Sequence, residues 1–156
     1  MIAIDTNVLL RYLLQDDDKG QSRKAASLIT GIMPVLVMDV VLVETIWVLA
    51  GKRYRLNREI IAGVISALFE EPNIVFEDGQ TVWRALNDYK KAQPVKVGGK
   101  KKSADFPDAL ILNKAKHQAQ QWHQALKGVY TFDVAAREIP GTLTVHNSIK
   151  GRHEQH

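Results

Sequence analysis

Five carboxylates are the residues of this chain best suited to chemistry. Asp5 follows the apolar run Ile2-Ala3-Ile4. Glu44 lies inside Val40-Val41-Leu42-Val43-Glu44-Thr45-Ile46-Trp47-Val48-Leu49. Asp105 and Asp108 bracket Phe106-Pro107 just before Ala109-Leu110-Ile111-Leu112, and Asp133 follows Val129-Tyr130-Thr131-Phe132. A carboxylate in apolar surroundings is costly unless it is paired or bound to a cation. Each acid also has an ordinary structural explanation. Asp5, Asp105 and Asp133 are placed to cap a following helix or turn. Pro107 is tolerated in a first helical turn, and Asp108 beside it suits the helix dipole. The Glu44 stripe can face solvent at a crevice. Taken together, the acids stand after the first strand, on the helix after the second strand, at a helix start and after a late strand. In a parallel sheet such positions can converge, and converging carboxylates repel unless something neutralises them. Ligation by oxygen and water alone is what Mg2+ or Mn2+ prefers.

Other chemistries find less support. There is no cysteine, hence no disulfide, thiol nucleophile or thiolate metal site. The five histidines, His117, His123, His146, His153 and His156, come late and scattered, which disfavours a histidine-rich zinc site. No serine sits in a G-x-S-x-G setting, and the phosphate-binding patterns G-x-x-x-x-G-K-[ST] and G-x-G-x-x-G are absent.

The elements that must position the acids follow from hydrophobic periodicity. Strands are expected at Ile2–Ile4, Pro34–Met38, Pro72–Phe76, Gly128–Phe132 and Thr142–Val145. Helices are expected at Asn7–Leu14 and Lys19–Thr30, with Gly31 as a left-handed stop, and from a cap at Asp39 to Ala50. A further helix runs from a cap at Asn57 to Phe69, with Ile60, Ile61, Val64, Ile65 and Leu68 as its buried stripe. Asp78–Ala92 is read as a helix with Val82, Trp83 and Leu86 inward, Gln93–Ser103 as a flexible loop, and Phe106 to about Leu126 as a helix with a break around His117–Gln121. Trp47, Trp83 and Trp122 read as core or interface anchors. Short apolar strands alternating with helices predict a mostly parallel sheet covered on both faces, with the ligand site beyond the carboxyl ends of the strands.

With 156 residues, 46% hydrophobic and 24% charged, the chain fits one globular domain, residues 1–146, followed by a polar tail, 147–156. No apolar run approaches the roughly 20 residues of a membrane span, and the start lacks the pattern of a signal peptide, so a cytoplasmic protein is expected. The net charge of +4 permits a polyanionic partner. Lys96, Lys100, Lys101 and Lys102 cluster in one Gly-containing stretch. They are candidates for phosphate contacts, which would make binding fall with salt; a solvated loop is the alternative. Arg11, one helical turn past Asn7, is a further candidate.

The blocks Ile2-Ala3-Ile4-Asp5-Thr6-Asn7-Val8-Leu9, Val43-Glu44, Asp105-Phe106-Pro107-Asp108-Ala109-Leu110-Ile111 and Thr131-Phe132-Asp133 appear in this order along nearly the whole chain. In this the sequence resembles PIN-domain ribonucleases, particularly the VapC toxins of type II toxin–antitoxin pairs. The resemblance implies a three-layer α/β/α sandwich and metal-dependent endonucleolytic cleavage of RNA with Mg2+ or Mn2+. The family's acidic residues map onto Asp5, Glu44, Asp108 and Asp133, with Asp105 as a possible further ligand. Thr6, Asn7 and Thr131 map onto positions that support the acids. The resemblance further implies a homodimer and a small VapB-like antitoxin partner. Two stretches depart from the family pattern: 94–103 is longer and more basic, and the helix around His117–Leu126 is extended.

Three rival readings remain at the level of sequence. An aspartyl-phosphate phosphotransferase would use Asp5 as nucleophile, but the usual second Asp two residues on is Asn7 here. An inactive nucleic-acid-binding module would not need the intact acidic set. A PIN nuclease with a housekeeping RNA or DNA substrate would look the same.

Overall fold

A computed structural model describes residues 1–15 and 20–145 of the chain. The acidic run 16–18, His146 and the polar tail lie outside the described residues. Three short apolar strands, β1 (Ile2–Ala3), β2 (Val35–Val37) and β3 (Ile74–Phe76), form a parallel sheet in the order β1-β2-β3. Ile2 and Ala3 pair with Val35 and Leu36, and Val35–Val37 pair with Ile74–Phe76. A second parallel pair joins β6 (Val129–Thr131) to β7 (Thr142–Thr144). Parallel strands need long crossovers, and helices supply them. The result is the expected α/β sandwich with a central parallel sheet.

The helices are α1 (Thr6–Leu14), α2 (Gln21–Ile29), α3 (Asp39–Ala50), α4 (Arg58–Glu70), α5 (Gly79–Lys91) and α6 (Phe106–Gln121). Their apolar faces meet the strands in one core that includes Leu9, Ile29, Val35, Leu42, Ile46, Ile65, Leu86, Phe106 and Leu112. Asn57 caps α4, its side chain accepting from the Ile60 N–H at 3.0 Å, and Asp78 caps α5 through the Thr81 N–H at 3.2 Å. Both caps match the residue types that favour helix starts.

Several expectations are corrected. The stretch Gln93–Ser103 is not a flexible loop: β4 (Val95–Val97) and β5 (Lys100–Lys102) form an antiparallel hairpin. Its two-residue turn holds Gly98 and Gly99 at φ 58° and 79°, the left-handed pair that a tight type I′ turn requires. Asp39 is the first residue of α3, not its cap. The position before it is Met38, and the free Asp39 N–H donates to the Glu77 carboxylate at 2.7 Å. Gly31 does not adopt the left-handed conformation. A Cβ there would come within 3.1 Å of the Ser27 carbonyl, so glycine supplies room for the chain leaving α2.

Helix α6 is unbroken but ends at Gln121, not Leu126. His123 turns to φ 52°, and no apolar face beyond Trp122 is buried, so packing gives the helix no reason to continue. Ile60 is half exposed and leaves the buried stripe of α4. The tryptophans are not core residues, since Trp47, Trp83 and Trp122 are 59%, 46% and 69% exposed. Trp83 instead lies edge-on to Phe69, with ring centroids 5.2 Å apart. Among the described residues no helix is long and apolar enough to cross a membrane.

Candidate active site

Asp5 stands where β1 turns into α1. The buried Ile4 anchors the end of the strand, and the Asp5 carboxylate accepts the Val8 N–H at 3.0 Å. This is the cap anticipated from sequence, and it aims the carboxylate at the mouth between α1 and α2. Asn7 is exposed beside it. Arg11 lines the same groove of about 320 Å³, together with Gln21 and Lys24. The Arg11 guanidinium donates to Gln21 at 3.1 Å.

Glu44 projects from the middle of α3. Its neighbours Val40, Trp47 and Val48 are exposed, so the stripe faces solvent and not the core. This is the crevice alternative: a single polar residue on an apolar face turned outward. The Thr6 hydroxyl donates to a Glu44 oxygen at 2.9 Å. Because Thr6 is the residue after Asp5, that bond ties the Asp5 turn to the Glu44 helix and brings two separated sequence blocks together.

Asp105 and Asp108 close the start of α6 reciprocally. The Asp105 carboxylate accepts from the Asp108 N–H at 3.1 Å, and the Asp108 carboxylate accepts from the Asp105 N–H at 3.0 Å. This is a capping box with Pro107 in its first turn, and it fixes both side chains. Asp108 is half-buried, and burial, the largest cause, pushes its carboxyl up to about 7. The Asp105 N–H bond pulls the other way, while the charges of Asp105 and Asp133 add to the rise.

Asp133 follows β6 and accepts from the Ala135 and Ala136 N–H groups at 2.9 and 3.4 Å. Its own N–H donates to the Thr131 hydroxyl at 3.0 Å. The T-F-D block is therefore a self-braced turn that presents one acid next to Asp108. Phe132, between Thr131 and Asp133 in sequence, is 85% exposed.

The acids thus fall into two sets, Asp5–Thr6–Glu44 and Asp105–Asp108–Asp133. Among the described residues no three acidic or histidine side chains are gathered closely enough to enclose a metal ion. The donor chemistry nevertheless suits a hard divalent cation. All donors are oxygens, and the hydrogen bonds above orient each carboxylate through one oxygen. The crowding around Asp108 is the excess negative charge that a cation would relieve. Lys96, Lys100, Lys101 and Lys102 stand on the β4–β5 hairpin, and Lys102 lines a cleft with Asp133.

Sequence reasoning missed the groups that hold α6 in place. Lys114, on α6, pairs with Asp39 at 2.9 Å and with Asp78 at 3.4 Å, so one ammonium joins the helix to the ends of β2 and β3. The Asp39 bond holds the Lys114 ammonium above its ordinary value. The buried Asn113 donates to Asp88 and to the Ala109 carbonyl, both at 2.8 Å. The available signal was Asn113-Lys114 interrupting an otherwise apolar helical face, with Asp39 and Asp78 each two residues after a strand.

This placement of acids at strand ends and helix starts accords with a match of the PIN domain to residues 2–140. The chain belongs to the PIN domain family. None of the curated proteins searched matches it. PIN domains are generally nucleases, act on nucleic acids and typically use divalent metals. Within this PIN domain, the Thr6 hydroxyl joins two of the motif blocks by a hydrogen bond to Glu44. Thr6→Val keeps the shape and removes the donor. It is expected to lower cleavage about 10- to 100-fold, the usual effect of losing a group that orients a ligand. Thermal unfolding should be little changed, because the bond is exposed. A nuclease assay beside a melting curve checks both.

Proposed function

We propose that the chain is a Mg2+- or Mn2+-dependent endoribonuclease and the toxin of a type II toxin–antitoxin pair, acting in the cytoplasm. The observation that carries the nuclease reading is Asp108, half-buried at a helix start and crowded by Asp105 and Asp133 in a PIN domain. Asp5 and Asp108 would anchor the cation, with Glu44 and Asp133 completing the site directly or through water and Asp105 as a further donor. A bound divalent ion there supplies Lewis-acid stabilisation of charge on the phosphate. The residues of the chain do the rest. Backbone N–H groups hold Asp5, Asp108 and Asp133 in fixed orientation, Thr6 holds Glu44, and Thr131 braces the turn of Asp133. In-line hydrolysis at such a site needs no covalent enzyme intermediate.

Asn7, beside Asp5, supports the same turn. Arg11 and the four hairpin lysines would contact phosphates of the substrate. The toxin assignment rests on the order and identity of the four motif blocks, which resemble those of VapC toxins. On that reading the partner is a small VapB-like antitoxin, and the exposed Val40, Trp47 and Val48 give a second copy an apolar surface for dimerisation.

The test is incubation of the purified chain with single-stranded and structured RNAs in Mg2+ or Mn2+, with EDTA and Asp5→Asn as controls. Cleavage should appear with either metal and vanish with EDTA and with Asp5→Asn. Cleavage that survives both controls, or its absence from a folded chain that binds metal, overturns the reading.

A further inference from the structure

Helix α3 starts at Asp39 and carries Glu44 farther along. Helix α6 carries Asp108 in its first turn and Lys114 farther along. The Lys114 ammonium meets the Asp39 carboxylate at 2.9 Å and the Asp78 carboxylate at 3.4 Å. Asp78 in turn caps α5. One ammonium, carried by α6, therefore lies between the starts of α3 and α5. At the rise of an α-helix, Glu44 stands about 7.5 Å along α3 from this ion pair, and Asp108 about 9 Å along α6. A helix is stiff over so short a length. The separation of Asp39 from Lys114 is thus passed on to the separation of Glu44 from Asp108.

Other contacts of α6 do not do this. Asn113 donates to Asp88, and Phe106 meets Tyr89, so both hold α6 to α5. Burial of apolar faces draws α3 and α6 into one core, but that force is non-directional. A charge-assisted hydrogen bond fixes a distance. It also holds together two carboxylates that repel without a cation between them. The Lys114 side chain is 38% exposed and that of Asp39 18%, and a pair so open to solvent adds little to stability. Its consequence is geometric. Thr6 already ties the Asp5 turn to Glu44. Lys114 continues that line of contacts from α3 to the helix of Asp105 and Asp108.

We infer that Lys114 is a positioning residue of the candidate site: through Asp39 it sets the separation of Glu44 on α3 from Asp108 on α6, and so holds the two sets of acids at the spacing a divalent cation needs. Neither Lys114 nor Asp39 touches the cation. The inference rests on the metal-dependent reading above and adds what keeps the two halves of the site in register.

The chain holds no cysteine, so spin labels can be placed cleanly at Ala50→Cys, the exposed end of α3, and Gln118→Cys, exposed on α6. Their separation is read by double electron–electron resonance on the metal-free full chain, diluted with unlabelled chain. The labelled parent should give one narrow distance. Lys114→Gln should broaden it. Lys114→Arg keeps the cation, reaches both carboxylates with its fork and should stay narrow. Asp39→Asn cuts the same link and leaves Lys114 paired with Asp78, so it should broaden the distance too and stands in if Lys114→Gln fails to fold. Asn113→Ala loses buried hydrogen bonds to Asp88 and Ala109. It should lower the melting temperature more than Lys114→Gln does, yet leave the distance narrow. Calorimetric titration with Mn2+ should show about tenfold weaker binding in Lys114→Gln and Asp39→Asn, and near-parental binding in Lys114→Arg and Asn113→Ala. A distance unchanged in Lys114→Gln and Asp39→Asn overturns the inference. So does a broadened distance with Mn2+ affinity unchanged, or an Asn113→Ala variant that broadens as much. A parent chain that takes up no Mn2+ overturns the metal reading instead, and the label distances then decide by themselves whether Lys114 spaces the two helices.

Discussion

Asp108→Asn is expected to lower metal-dependent RNA cleavage about a thousandfold while leaving the metal-free chain at least as stable as wild type. The first effect follows from the proposed role, since a metal's stabilisation of transition-state charge is worth several kcal/mol, and each 1.36 kcal/mol is tenfold in rate. The second follows from the capping box. An Asn at 108 still presents an oxygen to the Asp105 N–H, so the helix start survives. The variant removes a charge that burial and the neighbours Asp105 and Asp133 disfavour. The carboxyl of folded Asp108 stands near 7, above the unfolded value of about 4. Its contribution to stability is therefore full below about pH 4 and is lost as pH rises through about 7. Relative to wild type, Asp108→Asn should gain melting temperature across that window. Adding Mg2+ or Mn2+ should raise the melting temperature of wild type and not of the variant, since a ligand stabilises only the state that binds it. Equal metal-induced shifts in both would remove Asp108 from the metal site. Calorimetry at several pH values and a parallel cleavage assay read all three effects.

Phe106→Ala should cost about 3–5 kcal/mol of stability, the usual range for deleting a fully buried aromatic. Phe106 is the first residue of α6, is 0% exposed, and meets Tyr89 of α5 edge-to-face at 6.0 Å. The cavity would open directly beneath the capping box. For a domain of this size the loss corresponds to a drop in melting temperature on the order of 10 °C. Phe106→Leu keeps most of the volume and should cost much less. If Phe106→Ala melts within a degree or two of wild type, the ring does not anchor α6. Because Asp105 and Asp108 ride on the same turn, cleavage should fall in Phe106→Ala even below its melting transition.

Local chemistry was legible wherever one residue's type settles its role. Asp5, Asn57, Asp78, Asp105 and Asp133 all cap as their types suggest, because a cap needs only a short acceptor next to unpaired N–H groups. The apolar strands were placed within a residue or two for the same reason. Readings failed where a partner far along the chain decides. Asp39 looked like a cap but pairs with Lys114, 75 positions later, while Glu77 caps α3 in its stead. Ile60 and Trp83 carry helical spacing, yet the elements packed against them leave each about half exposed. Val95-Lys96-Val97-Gly98-Gly99 holds a hairpin signal that the run Lys100–Lys102 masked, since lysine is a poor strand former and a repeated lysine shows no alternation.

The sequence by itself determined the α/β class, the order of the helices and of the parallel strands, and the identity of the acids, because periodicity, capping and residue type are local properties. Only the tertiary structure decided which acids meet. It joined Asp5 to Glu44 through Thr6, set Asp133 against Asp108, and carried Lys102 to the cleft of Phe132. Those meetings depend on crossover connections and on helix packing between segments tens of residues apart, and no local pattern encodes the distance between two side chains that the chain brings together only when it folds.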